Sequence, residues 1–177
     1  MNTYIAFLRG INVSGQKIIK MAELSEMFSA LKFQNVRTYI QSGNVVFDSK
    51  EKDIIKLETI IEKEILKTFG FDVVVFIRIK KELEKIVSKN PFKKVISETP
   101  KFYVTFIKQD FPHKLKLPHL SEKHGVEIIS VEGNNIFCNS HLLKNNNWGF
   151  PNLLLEKEYK LPATTRNINT IEKILKM

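Results

Sequence analysis

Apolar and polar positions along this chain follow two periods, and the order in which the periods change predicts its elements. Residues 4–9, YIAFLR, form an apolar run that reads as a strand. After a polar, glycine-bearing loop over 10–20, Met21, Leu24, Met27, Phe28 and Leu31 recur at helical spacing. VRTYIQ and VVFDS then flank Ser42-Gly43-Asn44, which reads as two strands around a tight turn needing positive φ at Gly43 or Asn44. Ile54, Leu57, Ile61, Ile65 and Leu66 predict a longer helix, with Gly70 at a natural C-cap position. VVVFIRI, residues 73–79, predicts a β-branched buried strand. Strand, helix, strand, strand, helix, strand is the ferredoxin-like βαββαβ order, a four-stranded sheet with two helices on one face. Its first and last strands are apolar at nearly every position, so the other face needs a cover too. That cover is either the second half of the chain or another subunit, which would make a homodimer.

The second half is less regular. A short helix around Leu83, Ile86 and Val87 ends at Asn90-Pro91, and NPFKKVISETP (90–100) is the best boundary between subdomains. FYVTFIK (102–108) predicts a strand, 109–125 a loop, and VEIISV with NIFCNS a second hairpin around Glu132-Gly133-Asn134. PNLLLEKEYK (151–160) predicts a short helix opened by Pro151. In the closing helix Ile168, Ile171, Ile174 and Leu175 share a face, and Asn169 with Glu172 has capping-box spacing. The expected architecture is α+β: a ferredoxin-like subdomain over 1–89, packed against a smaller α+β subdomain over 90–177.

Composition narrows the classes of function. At 177 residues, 43% hydrophobic and 27% charged, the chain is long enough for one domain or two small subdomains. No apolar stretch approaches the ~20 residues of a membrane span, and MNTYIAFLRG reads as a strand, not a signal peptide. The lone cysteine, Cys138, excludes an internal disulfide and a thiolate metal cluster. These features fit a reducing cytoplasm. The net charge of +9 suits an anionic partner, although the lysines that dominate it are spread along the chain. Arginines are few: Arg9, Arg37, Arg78 and Arg166. In a chain that otherwise uses lysine, each suggests either the bidentate work of the planar fork or the tying of a loop to carbonyls.

Candidate chemistry is sparse. His113, His119, His124 and His141 show no metal-ligand spacing and read as loop histidines apart from any carboxylate cluster, so no metal or cofactor is expected. Cys138 alternates within a strand and reads as a small buried hydrophobe. Glu23, Glu26, Glu51, Asp53, Glu58, Glu62, Glu64 and Glu172 are expected mostly on solvated helix faces, with no pair that must converge for acid–base work. What stands out is RGINVSG after the first strand and TTRNINT before the last helix. Each brings an arginine, amides and small polar residues to a place where backbone N–H groups can meet an anion. RGINVSG matches neither the P-loop nor the GxGxxG spacing.

YIAFLRGINVSG, KMAEL, VRTYIQSGNVVF, FGFDVVVFIR with the later NPF, and the closing LPATTRNINT together resemble a bacterial family, the domain of unknown function 1697. The resemblance runs from Thr3 to about Phe92 and again over the last 20 residues. That family usually has a tryptophan where this chain has Ile168. The resemblance implies a ferredoxin-like first half with a second α+β half packed on it, and no catalytic residues to carry over. Its motifs fall on Arg9, Gly10, Asn12, Ser42, Gly43, Asn44, Arg166 and Asn167. The expected site is therefore an inter-lobe cleft holding an anionic ligand, a nucleotide or nucleic-acid phosphate, on Arg9, Gly10, Asn12, Ser42, Asn44, Arg166 and Asn167. Two alternatives stay open: an enzyme acting on a phosphorylated or nucleoside substrate, and a structural or protein-interaction module in which the same motifs hold the lobes together.

Overall fold

The computed structural model describes residues 1–177 except 94, 97, 98 and 100, so part of the expected boundary stretch 90–100 lies outside the described residues. It is α+β, with two antiparallel sheets and five helices among the described residues. The chain divides into two compact units, Met1–Lys85 with Ile174–Met177, and Ile86–Lys173.

In the first unit, β1 (Asn2–Leu8), α1 (Met21–Ala30), β2 (Gln34–Tyr39), β3 (Asn44–Ser49), α2 (Ile54–Phe69) and β4 (Val75–Ile79) follow the expected order. The sheet order is β2-β3-β1-β4, every neighbour antiparallel. Strand alternation sends Tyr4, Ala6, Leu8, Val45, Phe47, Val75 and Ile77 to one face, where they pack with Leu24 and Phe28 of α1 and Leu57, Ile61 and Ile65 of α2. The alternate positions Ile5, Phe7, Val46 and Phe76 are buried as well, as the continuous apolarity of β1 and β4 predicts. Helix α2 starts where the Asp53 side chain accepts from Lys56 N and stops at Gly70, whose left-handed φ of 79° returns its N–H to Leu66 O.

Two glutamates depart from the expected solvated face. Strand β4 is an edge strand, and the glutamates of α2 reach its outward N–H groups. Glu58 Oε1 accepts from Ile77 N at 3.0 Å and Glu62 Oε1 from Val75 N at 2.8 Å. Glu58 is only 5% exposed. Carboxylates thus replace the strand that an open edge would recruit.

The second unit holds a five-stranded sheet of order β6-β7-β8-β5-β9, from β5 (Phe102–Phe106), β6 (His119–Ser121), β7 (Val126–Glu132), β8 (Asn135–Ser140) and β9 (Thr164–Asn167). Helix α3 (Lys80–Ser88) follows β4 directly, α4 (Pro151–Lys157) precedes β9, and α5 (Ile168–Leu175) continues from it. Leu154 and Leu155 of α4 pack with Ile128, Ile136, Cys138 and Ala163 on one sheet face. On the opposite face Phe92 stacks on Phe102, ring centroids 4.2 Å apart, and meets Phe137 edge-on. The loop expected over 109–125 contains the three-residue strand β6.

Cys138 is a buried hydrophobe on β8, as its alternation predicts. Burial pushes its thiol up to about 12, with a hydrogen bond to Thr105 opposing the shift. A disulfide reagent such as dithionitrobenzoate should therefore label native protein in mildly alkaline buffer only as fast as the sheet opens. Labelling at the rate of a free thiol would contradict this packing. Among the described residues, no helix is long and apolar enough to cross a membrane.

Candidate functional site

The expected site residues fall into two groups, one in each unit. In the first unit the end of β1 is clasped on both sides: Leu8 N donates to Gly43 O at 2.8 Å and Arg9 N to Val74 O at 3.0 Å. The loop that follows is anchored by Ile11 and Ile19, 1% and 2% exposed, which belong to the core. Ile11 lies directly over the β2–β3 turn. A Cβ on Gly43 would come within 2.8 Å of both Ile11 Cδ1 and Leu8 Cβ, and the residue has φ of 77°. Glycine at 43 is thus required by conformation and by space together.

Between these anchors the chain is held in an uncommon conformation. Gly10, Asn12, Ser14, Gly15 and Lys17 all have positive φ, and so does Ile40 in the facing turn at 49°. For a β-branched residue such as Ile40 that conformation is strained. The Asn12 carboxamide holds the loop in shape. Its Nδ2 donates to Ile19 O and Gln41 O, both at 2.9 Å, and its Oδ1 accepts from Ile19 N at 2.8 Å. Asn44 is buried and donates to Tyr39 O at 2.9 Å and Ser42 Oγ at 3.0 Å, which shapes the turn from inside. Arg9, Asn12 and Ser42 are half-buried and Gly10 is exposed. Loop and turn therefore come together as one surface of the first unit, with Asn12 and Asn44 serving its internal bonding. The amides of Gly10, Ser14 and Gly15 meet no backbone acceptor among the described residues.

The second group differs from expectation in its local structure. Arg166 stands in a strand, β9, and not in a turn, paired with Val104. Its Nη1 donates to Thr164 Oγ1 and Thr165 O, both at 2.9 Å, and burial pulls the guanidinium down to about 10. Asn167 is the N-cap of α5: its Oδ1 accepts from Asn169 N at 2.9 Å, so the cap lies two residues before the position that capping-box spacing suggests. A cavity of about 520 Å³ opens at the start of α5, lined by Ile168, Asn169, Glu172, Lys93, Phe92 and Phe102 among others, with Arg166 and Asn167 absent from its lining.

Sequence reasoning missed two histidine–carboxylate contacts. His141 Nε2 lies 3.3 Å from Glu127 Oε2, and His124 Nδ1 lies 3.3 Å from Glu158 Oε1. Both partners are distant in sequence, and only the β7–β8 register and the position of α4 reveal them. No group of three or more metal-ligating side chains exists among the described residues.

The chain is thus an α+β protein whose described residues form two antiparallel sheets, and the first sheet carries a strained loop at the C-terminal end of β1. It belongs to the family of proteins of unknown function DUF1697, whose model matches residues 1–137. The structure is similar to that of the conserved bacterial protein SP0830 from Streptococcus pneumoniae, with a TM-score of 0.71 at 20% identity, covering 99% of this chain and 97% of the other. At that identity the likeness shows the fold alone. No curated protein matches this chain in sequence.

Proposed function

We propose that this protein is a binding module whose ferredoxin-like first unit takes a phosphate group on loop 9–17 and the facing turn 40–43. The strand order β2-β3-β1-β4, with α1 and α2 as its two crossings, supports the ferredoxin-like reading. The observation that carries the ligand reading is the backbone of the loop. Positive φ at Gly10, Asn12, Ser14 and Gly15 holds it out of regular structure; the Asn12 N–H is taken by Lys17 O at 3.2 Å, and the N–H groups of Gly10, Ser14 and Gly15, which meet no backbone acceptor among the described residues, are those left to meet an anion. Arg9 opens the loop, Lys17, whose Nζ donates to Asp72 O, ends it, and the chain's net charge of +9 suits an anionic partner in general. Arg166, buried and bonded to Thr164 and Thr165, and Asn167, which caps α5, are not needed by this reading. A purely structural role for the motif has one specific observation in its favour, the three hydrogen bonds that occupy Asn12.

The test is an amide-resolved titration with ATP and, separately, with a short oligothymidylate. Amides 10–15 are expected to shift with both phosphate sources. Oligonucleotide binding that falls steeply with salt identifies contact with a nucleic-acid backbone, whereas ATP binding that holds across salt and exceeds that of the oligonucleotide identifies a nucleotide. Arg9→Lys, which keeps charge and removes the fork, is expected to weaken binding by about fivefold to tenfold with the melting temperature unchanged. Shifts confined to residues outside 9–17 and 40–43 would overturn the proposal, as would an Arg9→Lys protein that simply unfolds.

A further inference from the structure

The first unit leaves three large apolar side chains in water around one set of hydrogen bonds. Val13, Ile18 and Ile40 are 58%, 59% and 49% exposed. The other exposed large hydrophobics among its described residues, Met1, Ile55 and Leu66, stand at the start of the chain and on α2. The Asn12 carboxamide is what brings the three together. Its Oδ1 accepts at 2.8 Å from Ile19 N, in the peptide that joins Ile18 to Ile19. Its Nδ2 donates at 2.9 Å to Ile19 O and at 2.9 Å to Gln41 O, the residue after Ile40. Val13 follows Asn12 directly, and Gln16 N donates to Val13 O at 3.0 Å. Ile11 and Ile19 of the same loop turn into the core, which leaves Val13 and Ile18 outside it.

Ile40 is unusual in two ways at once. Its φ of 49° puts a β-branched residue in the left-handed region, which glycine or asparagine occupies at far lower cost. About half of the residue meets water, so burial offsets only part of that cost. The conformation of the turn favours a residue other than isoleucine. Strain kept at an exposed apolar position points to recognition.

We propose that Val13, Ile18 and Ile40 are the seat of a nucleobase, so that the ligand of this unit is a nucleotide and not phosphate alone. The inference rests on the phosphate reading of loop 9–17 and names what the phosphate carries. Gly10, Ser14 and Gly15, whose N–H groups meet the anion in that reading, flank Val13 in the chain, so phosphate and base bind side by side. Short β-branched side chains offer a low apolar surface that suits the flat face of a ring, and every base has such a face. A flexible acyl chain is instead held by a deeper apolar groove.

AMP and ribose 5-phosphate are the decisive pair, because they carry the same phosphomonoester on the same sugar and differ only in the base. Both are titrated into the native protein and followed by its amide and methyl signals. AMP is expected to bind about tenfold more tightly and to shift the methyl groups of Val13, Ile18 and Ile40. Ribose 5-phosphate is expected to shift amides 10–15 and to leave those methyl groups in place. Dihexanoyl phosphatidic acid, a phosphate on flexible chains, should bind more weakly than AMP. Ile40→Asn relieves the turn and removes the apolar side chain, so the preference for AMP should fall to about threefold or less with no loss of melting temperature. Val13→Thr with Ile18→Thr keeps β-branched residues at exposed positions and should lower the preference likewise, even if the turn variant fails to fold. Equal binding of AMP and ribose 5-phosphate overturns this inference and leaves the phosphate reading standing, whereas no shift of amides 10–15 with either overturns both. A preference for AMP that survives the Ile40→Asn and the Val13→Thr, Ile18→Thr changes, or tighter binding of the phosphatidic acid, would also overturn it.

Discussion

Gly149→Ala is expected to destabilise the protein by more than ~3 kcal/mol, although it adds a single methyl group. A Cβ at this position would lie 1.9 Å from Gly125 O, 2.4 Å from Gly125 C and 2.5 Å from His124 O. All three are main-chain atoms, so no side chain can swing aside to make room. Gly125 is itself constrained, with φ of 59°, and its carbonyl accepts from His141 N at 2.8 Å. Moving either strand of the contact therefore breaks hydrogen bonds at the end of β8. Gly15→Ala is the natural control, because no atom lies within 4 Å of its would-be Cβ. Only its left-handed backbone, φ 73°, is penalised there, at about 1 kcal/mol. Chemical denaturation of the two variants separates the cases, and a Gly149→Ala protein as stable as Gly15→Ala would show that the two segments are not in close approach.

The second large effect is expected at Glu58. Glu58→Ala should cost about 2–3 kcal/mol, because the N–H of Ile77 then loses its acceptor inside a buried site. Glu58→Gln retains an acceptor oxygen on the same stem and should cost less than about 1 kcal/mol. Amide hydrogen exchange gives the direct readout: Ile77 should exchange faster in the alanine variant and near the native rate in the glutamine variant. Unchanged protection of Ile77 in Glu58→Ala would remove the carboxylate from its role at the edge. Aggregation of the alanine variant at high concentration would fit an uncovered β4, since an open edge is a template for another strand.

Both positions show where reading the chain alone stops. Glu58 sits next to Leu57 and three residues before Ile61, so helical periodicity places it at the margin of the apolar stripe, and its charge suggests solvent. Whether such a residue meets water or a strand edge depends on where β4 ends up, which no local pattern encodes. The same holds for TTRN. Its residues carry hydroxyls and an amide that suit a cap or a loop, yet pairing with β5 makes it a strand and buries Arg166. Asn167 then caps α5 in place of Asn169, because the helix starts as soon as the strand stops. His141 and Glu127 are 14 residues apart and meet only through the β7–β8 register.

The sequence by itself determined the elements of the first unit and their order. Its apolar residues recur at spacings that only a helix or a strand can bury on one side, and its turns are marked by residues with few backbone alternatives. Gly70 and Gly43 could be placed because positive φ is a local property of the chain, and Cys138 because alternation is one too. Strand order, edge coverage, the burial of Arg166 and the seat of His141 were decided by tertiary structure. Each depends on which distant backbone arrives beside a given side chain, and that is settled by the packing of whole sheets and helices. The loop RGINVSG lies between the two cases. Its glycines, asparagine and serine announce a departure from regular structure, but Ile11 over Gly43 and Asn12 on Gln41 O turn that departure into one defined shape.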